Sequence, residues 1–262
     1  MSFKPKKSLG QNFLIDREVL EKIVTTVDIA NEEVLEIGPG SGNLTTFILN
    51  KNPKKIYVVE KDDDLASLLK DKFNNEINII NDDILKIAEH EISQNELTVF
   101  GNLPYNISTE ILSKWIVNMG TKVWFKNLVL MFQKEVADRI IAESDTSKYG
   151  RLSILSSWKL NIKKIIDIGP ESFSPRPKID SSLLLFTPKE NYFELKDAKN
   201  LEMITRVFFS QRRKMLKKPF NQIFEKPKEI SEKFNIDLNL RPQNLEPEMY
   251  YKLTKEYEDL RS

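Results

Sequence analysis

The chain has 262 residues, 40 Lys and Arg against 39 Asp and Glu, one His and no Cys, with 40% of residues apolar and 30% charged. That balance belongs to an ordinary globular protein with enough chain for a sizeable core. The lack of Cys excludes disulfide scaffolds, Cys-based zinc sites, iron–sulfur clusters and thiolate nucleophiles.

His90 is flanked by Glu89 and Glu91 and is expected on the surface, which disfavours Ser-His-Asp triads and His-rich metal sites. No metal is expected, and the chemistry falls to carboxylates, amides, backbone groups and aromatics. Met1 to Lys7 carries charge, but Gly10-Gln11-Asn12 stands where a signal peptide would have its apolar region. The longest apolar run, Leu128 to Phe132, is far short of the roughly 20 residues of a membrane span. A cytoplasmic, monomeric protein with no membrane partner is expected.

From Val34 to Thr187 short β-branched runs alternate with helix-like segments, the pattern of an α/β sheet with crossover helices. Strands are expected at Val34–Ile37, Lys55–Glu60, Ile77–Ile80, Leu97–Gly101, Leu128–Phe132, Ile162–Ile168 and Ser182–Thr187, seven in a mostly parallel, Rossmann-like sheet. Helices are expected near Leu44–Asn50, Asp63–Phe73, Thr109–Val117, Lys134–Glu143 and Leu152–Lys159. Beyond Thr187 the alternation gives way to charged helices broken by Pro219, Pro227 and Pro242. The expected domains are therefore 1–187, the sheet, and 188–262, a small helical domain.

The first strand runs into Gly38-Pro-Gly40-Ser-Gly42-Asn-Leu, a turn whose glycines let the backbone approach a ligand. Glu60, ending the second strand, stands where an acidic residue accepts bonds from both hydroxyls of a ribose. Asn43 breaks the dinucleotide spacing, so a nucleoside without phosphates fits better, S-adenosylmethionine (SAM) being the common one. A dinucleotide and a ligand-free turn remain as alternatives. Asp83, just past the third strand, either accepts from an adenine amino group or caps the helix that follows.

Asn102-Leu103-Pro104-Tyr105 follows the fourth strand. As a structural element it is a Pro-containing turn capped by Ser108. In this position it resembles the catalytic loop of methyltransferases that act on exocyclic amines. The lone pair of an adenine N6 amine is delocalised into the ring. Two acceptors, the Asn102 amide oxygen and the backbone carbonyl of Leu103 or Pro104, would favour a pyramidal nitrogen aimed at the methyl group. Tyr105 offers a stacking face, and catalysis is then positioning and electrostatics.

Five segments in order give the chain its resemblance to the small-subunit ribosomal RNA adenine dimethyltransferase family. They are Lys7 to Leu14, Glu36 to Gly42, Asn102 to Tyr105, Phe173-Ser-Pro-Arg-Pro-Lys-Ile-Asp-Ser181 and Phe209 to Leu216. The resemblance implies that Gln11, Asn12 and Leu14 close over SAM, with Gly38, Gly40, Glu60, Asp83 and Asn102 making further contacts. It implies that Phe173 stacks the flipped adenine opposite Tyr105. Read without it, Ser8 to Asp16 is a helix lead-in, Phe13 and Leu14 are core, and Phe173-x-Pro-x-Pro is a stiff connector. The implied reaction is dimethylation of two adjacent adenosines in a hairpin loop near the 3′ end of small-subunit (16S) rRNA during ribosome biogenesis, with the immature subunit as partner.

Net neutrality conceals basic stretches. Residues 203–224 hold Arg206, Arg212, Arg213, Lys214, Lys217 and Lys218 and no acidic side chain, 148–166 hold five basic residues, and Lys4, Lys6 and Lys7 add a cluster. These are expected to meet RNA phosphates. The competing readings are a large-subunit rRNA adenine methyltransferase of the macrolide-resistance type, an assembly or transcription factor on this fold without catalysis, and, more distantly, an NAD-linked oxidoreductase.

Overall fold

The computed structural model describes residues 11–120 and 123–261, which form two compact units. The first takes in residues within 11–115, 119–137 and 161–188; the second takes in 116–118, 138–160 and 189–261. The second unit is thus not the tail alone, because residues 138–160 join it.

The first unit is built on a seven-stranded sheet. In chain order its strands are β2 (Glu33–Ile37), β3 (Lys55–Val59), β4 (Asn78–Ile80), β5 (Leu97–Asn102), β6 (Phe125–Gln133), β7 (Leu160–Ile168) and β9 (Ser181–Pro188). Across the sheet they run β4-β3-β2-β5-β6-β9-β7. The first five pair in parallel, while β9 returns antiparallel to β6 with Leu130 opposite Leu184. Central β2 is buried over its last four residues, as a parallel strand covered on both faces must be. The chain order reverses between β2 and β5, so the loops after these two strands open side by side at the carboxyl edge, where ligands bind in such sheets.

Helices α2 (Asn43–Leu49), α3 (Asp63–Phe73), α4 (Ser108–Val117), α5 (Lys134–Ile140) and α6 (Arg151–Lys159) fall where the sequence places them, with α5 ending three residues early. Two further elements precede the sheet, a helix for which Asp16 ends the lead-in and a short strand that was not expected. Helix α1 (Arg17–Val24) buries Leu20, Ile23 and Val24, and its N-cap Asp16 accepts from the N–H groups of Glu18 and Val19. Just before it, β1 (Phe13–Leu14) pairs antiparallel with β8 (Phe173–Ser174), placing Leu14 opposite Phe173.

The second unit contains α7 (Ala198–Ser210), α8 (Lys217–Ile223), α9 (Pro227–Lys233) and α10 (Pro247–Asp259). Its interior is aromatic. Phe208 lies 5.5 Å, centroid to centroid, from both Phe220 and Tyr250, and Phe209 lies 5.7 Å from Tyr250. The hydroxyls of Tyr149 and Tyr250 donate to the carbonyls of Leu245 and Pro242. Buried Glu258, near the end of α10, accepts from the backbone of Lys196 and Asp197 and from the Asn200 amide, fastening the start of α7. The three prolines expected to break these helices begin elements instead: Pro227 opens α9, Pro219 lies in the first turn of α8, and Pro242 opens a 3-10 turn ahead of α10, which Pro247 starts. An N–H is not missed in the first turn.

Candidate active site

A cleft in the first unit is lined by the segments 11–14, 36–41, 59–61, 82–85 and 102–107, together with Asn43, Leu44 and Leu65. All eight residues expected to hold the cofactor, Gln11, Asn12, Leu14, Gly38, Gly40, Glu60, Asp83 and Asn102, line it, and so do Leu103, Pro104 and Tyr105.

The glycine turn is shaped by close approach. Gly40 has φ +58°, and a Cβ added there would lie 2.7 Å from the Phe13 ring; Gly42, at φ +76°, would place one 2.5 Å from the Phe73 ring. A side chain is excluded at both positions.

Glu60 is buried and its carboxylate is held at both oxygens, Oε2 by the Gly40 N–H at 3.2 Å and Oε1 by the Asp62 N–H at 2.9 Å. Burial pushes its carboxyl above the usual range against these two bonds. Each oxygen keeps a second lone pair for a ligand hydroxyl. Asp62, the N-cap of α3, accepts from the Gln11 amide at 3.0 Å and so ties the N-terminal segment to the Glu60 corner. Sequence reading gave Asp62 no role, although the Asp62-Asp63-Asp64 run at a helix start signals a cap.

No helix follows Asp83 for it to cap; a turn stands there instead. Oδ1 accepts from the Leu85 N–H in a turn, Oδ2 accepts from Lys61 at 2.7 Å, and the residue still lines the cleft. The Lys61 ammonium holds its carboxyl below the ordinary value.

Asn102 closes β5. Its Nδ2 donates to the Asn12 backbone carbonyl at 2.9 Å, which fixes the amide's orientation and turns Oδ1 the other way, as an acceptor. The Pro104 carbonyl receives two backbone N–H groups, from Ile107 at 3.1 Å and Ser108 at 3.0 Å, in the turn that starts α4. Both of its lone pairs are engaged, so of the two carbonyls considered for the amine it is Leu103's that can serve. Leu103 itself is anchored by a buried side chain that packs where a Cβ on Gly101 would stand. The Tyr105 hydroxyl is paired with Ser181 Oγ at 2.6 Å, and burial raises its pKa, so it stays protonated.

Phe173 does not join this group. It is 3% exposed, packs in the core with Leu14, Leu20 and Leu183, and does not line the cleft. In β8 Phe173 points inward and Ser174 outward. The aromatic that the cleft gains is Phe13, lying over Gly40. Leu14 contributes backbone, its carbonyl taking the Asn43 amide at 2.8 Å.

Glu36, quoted in the glycine motif but given no role, is a cleft-lining carboxyl buried to 1% exposure and accepting from Thr45 Oγ1 at 2.6 Å. Burial pushes it up to about 8. An acid raised in the folded state stabilises fully below its ordinary value near 4.5, and that contribution is lost as pH rises to about 8. Glu36→Gln keeps the acceptor and removes the titration. The variant should therefore gain in Tm relative to the parent between pH 5 and pH 8. Parallel melting curves for the two proteins would contradict this.

The basic stretches are less uniform than their sequence implies. Arg206, Arg213, Lys214, Lys217 and Lys218 are exposed. Arg212 is half-buried and braces its own unit, donating to Gln243 and to the Thr146 carbonyl. In the 148–166 stretch Lys148 pairs with Asp138, Lys164 pairs with Asp167, and Lys159 is buried over the Trp158 ring. Lys4, Lys6 and Lys7 lie outside the described residues. His90 is exposed, as expected. Among the described residues no group of acidic and His side chains could hold a metal, and no helix is long and apolar enough to cross a membrane.

A doubly wound sheet with a nucleoside-type cleft and an Asn-Leu-Pro-Tyr loop at its switch point defines a methyltransferase acting on an exocyclic amine. Comparisons narrow this. The pattern of the ribosomal RNA adenine dimethylase family matches residues 2–259. A protein of Pelagibacter ubique named ribosomal RNA small subunit methyltransferase A is 78% identical over 261 residues, covering 100% of both chains. Among solved structures, a dimethyladenosine transferase from Plasmodium falciparum superposes with TM-score 0.81 at 27% identity, over 94% of this chain and 98% of that one. The 23S rRNA methyltransferase ErmE, at 21% identity over 95% of this chain and 100% of its own, shares the fold with TM-score 0.69. The chain belongs to the ribosomal RNA adenine dimethylase family.

Proposed function

We propose that this protein transfers methyl groups from SAM to the N6 amines of two adjacent adenosines in a hairpin loop near the 3′ end of small-subunit rRNA. The observation that carries the reading is the Asn102 amide. Its nitrogen is tied to Asn12, leaving Oδ1 as an acceptor beside the uncommitted Leu103 carbonyl. A target amine held by both would have its lone pair turned out of the ring plane.

The residues present fit SAM. Glu60, with both oxygens fixed by backbone N–H groups, suits a ribose diol. Asp83 suits an adenine amino group, the side-chain-free face of Gly38 and Gly40 admits the ligand, and Gln11 and Asn12 close over it. When bound, SAM supplies a methyl group on a sulfonium that departs as a neutral thioether. Asn102 and Leu103 orient the amine, Pro104 holds the loop, and Tyr105, its hydroxyl anchored on Ser181, offers its ring to the base. No strong base is needed, in keeping with a chain whose single His is on the surface.

The base must leave its stack to react, which costs least in a loop. The exposed Arg206, Arg213, Lys214, Lys217 and Lys218 suit RNA phosphates. The target is drawn from the Pelagibacter ubique relative, whose name specifies the small subunit. The intact Asn102, Pro104, Tyr105 and Glu60 argue against a factor that has lost catalysis.

The test supplies labelled SAM with immature small subunits, large subunits and naked RNA, and maps dimethyladenosine by mass spectrometry. Label in two adjacent adenosines of small-subunit RNA is expected. Label confined to large-subunit RNA would refute the target.

A further inference from the structure

Behind the Asp83 wall of the cleft lies a cation with every donor used. Lys114, on α4, sends its ammonium to the Ile84 carbonyl at 3.0 Å, the Ile87 carbonyl at 2.6 Å and Glu89 Oε1 at 2.7 Å. An ammonium has three N–H groups, and here each has an acceptor. The same Glu89 oxygen accepts from Trp115 Nε1 at 2.8 Å. Lys114 and Glu89 are largely buried, their side chains 19% and 8% exposed.

Together with the Trp115–Glu89 bond, these bonds join two parts of the site, the wall that carries Asp83 and helix α4. The segment 82–85 forms the cleft wall that carries Asp83 and runs without regular α-helix or strand to residue 91. Helix α4 begins directly after the Asn-Leu-Pro-Tyr loop, whose Pro104 carbonyl its first residues hold. A loop that carries a ligand contact without a hydrogen-bonding ladder of its own needs an external brace to keep that contact within a fraction of an ångström. Charge-assisted bonds to carbonyls in a largely buried setting are strong enough to be that brace.

We propose that Lys114 is a positioning residue for cofactor recognition: clamped on Ile84, Ile87 and Glu89, it sets Asp83 at the height where its carboxylate reads the cofactor's exocyclic amine. The inference rests on the assignment of Asp83 to that amine. It places the determinant of adenine selectivity on an element the cofactor does not touch, and registers the cofactor wall against the catalytic loop through one helix.

The measurement is the affinity of the full chain for S-adenosylhomocysteine and for its 6-oxo analogue S-inosylhomocysteine, by calorimetry. The parent should prefer the amine by about tenfold, the value of one hydrogen bond to a charged acceptor. Lys114→Met should reduce the preference to about twofold or less, and Lys114→Arg, which can still donate to the carbonyls and Glu89, should restore most of it. Should Lys114→Met fail to fold, Lys114→Gln, which keeps a donor for one carbonyl, is read the same way. A brace that only stabilises the fold would weaken both ligands equally; an unchanged ratio in the Met or Gln variant overturns the proposal. Asp83→Ala is the control. If its ratio equals the parent's, the adenine assignment falls and the proposal with it; if the ratio collapses there but not at Lys114, the assignment stands and the proposal alone fails.

Discussion

Asn102→Ala should lower methyl transfer by about a thousandfold or more, while cofactor affinity changes by about tenfold or less. The first figure follows from losing the acceptor that turns the amine's lone pair. Removing one preorganised polar partner at a reacting centre typically costs 10²–10³, and the loose base adds misplacement. The second follows because the ground state loses only the bond from Nδ2 to Asn12, and one neutral hydrogen bond is worth about a factor of ten. Single-turnover rates with saturating SAM, paired with calorimetric affinity, separate the two. Turnover equal to the parent's would remove Asn102 from the chemistry.

Glu60→Gln should have the larger effect on binding, weakening SAM by about a hundredfold with the fold retained. The change is nearly isosteric, yet both carboxylate oxygens accept from backbone N–H groups, those of Gly40 and Asp62. An amide has one oxygen, so its NH₂ must face one of those donors. A donor–donor contact in a buried corner displaces either the glycine turn or the start of α3, and the ribose contact is weakened as well. Affinity by calorimetry and the cofactor-dependent rise in Tm should fall together. An unchanged affinity would show that this corner does not hold the ligand.

The sheet was readable because parallel strands covered on both faces favour β-branched and apolar runs, as in Ile56–Val59, Val99–Phe100 and Leu128–Phe132. The glycine turn, Glu60, Asp83 and the Asn-Leu-Pro-Tyr loop could be placed because each follows such a strand at the carboxyl edge. What escaped were features set by partners distant in sequence. Strands β1 and β8 have two residues each, too short for a periodic signal, and exist through pairing 160 residues apart (Phe13 with Ser174, Leu14 with Phe173, in round terms). The inward face of Phe173 could not be read, because a motif fixes position along the chain and not the face a side chain takes. Arg212 and Lys148 look alike in a count of basic residues, but only the fold reveals that Gln243, Thr146 and Asp138 already hold them. Asn43, read only as a departure from a dinucleotide spacing, is the residue that fastens the Leu14 carbonyl.

The bond from Asn102 to Asn12 makes one amide answer to two events. Any displacement of Asn12 unfastens the nitrogen end of Asn102 and frees its oxygen end to rotate. On the proposed reading, the grip on the nucleobase therefore depends on the seating of the N-terminal segment through a single side chain.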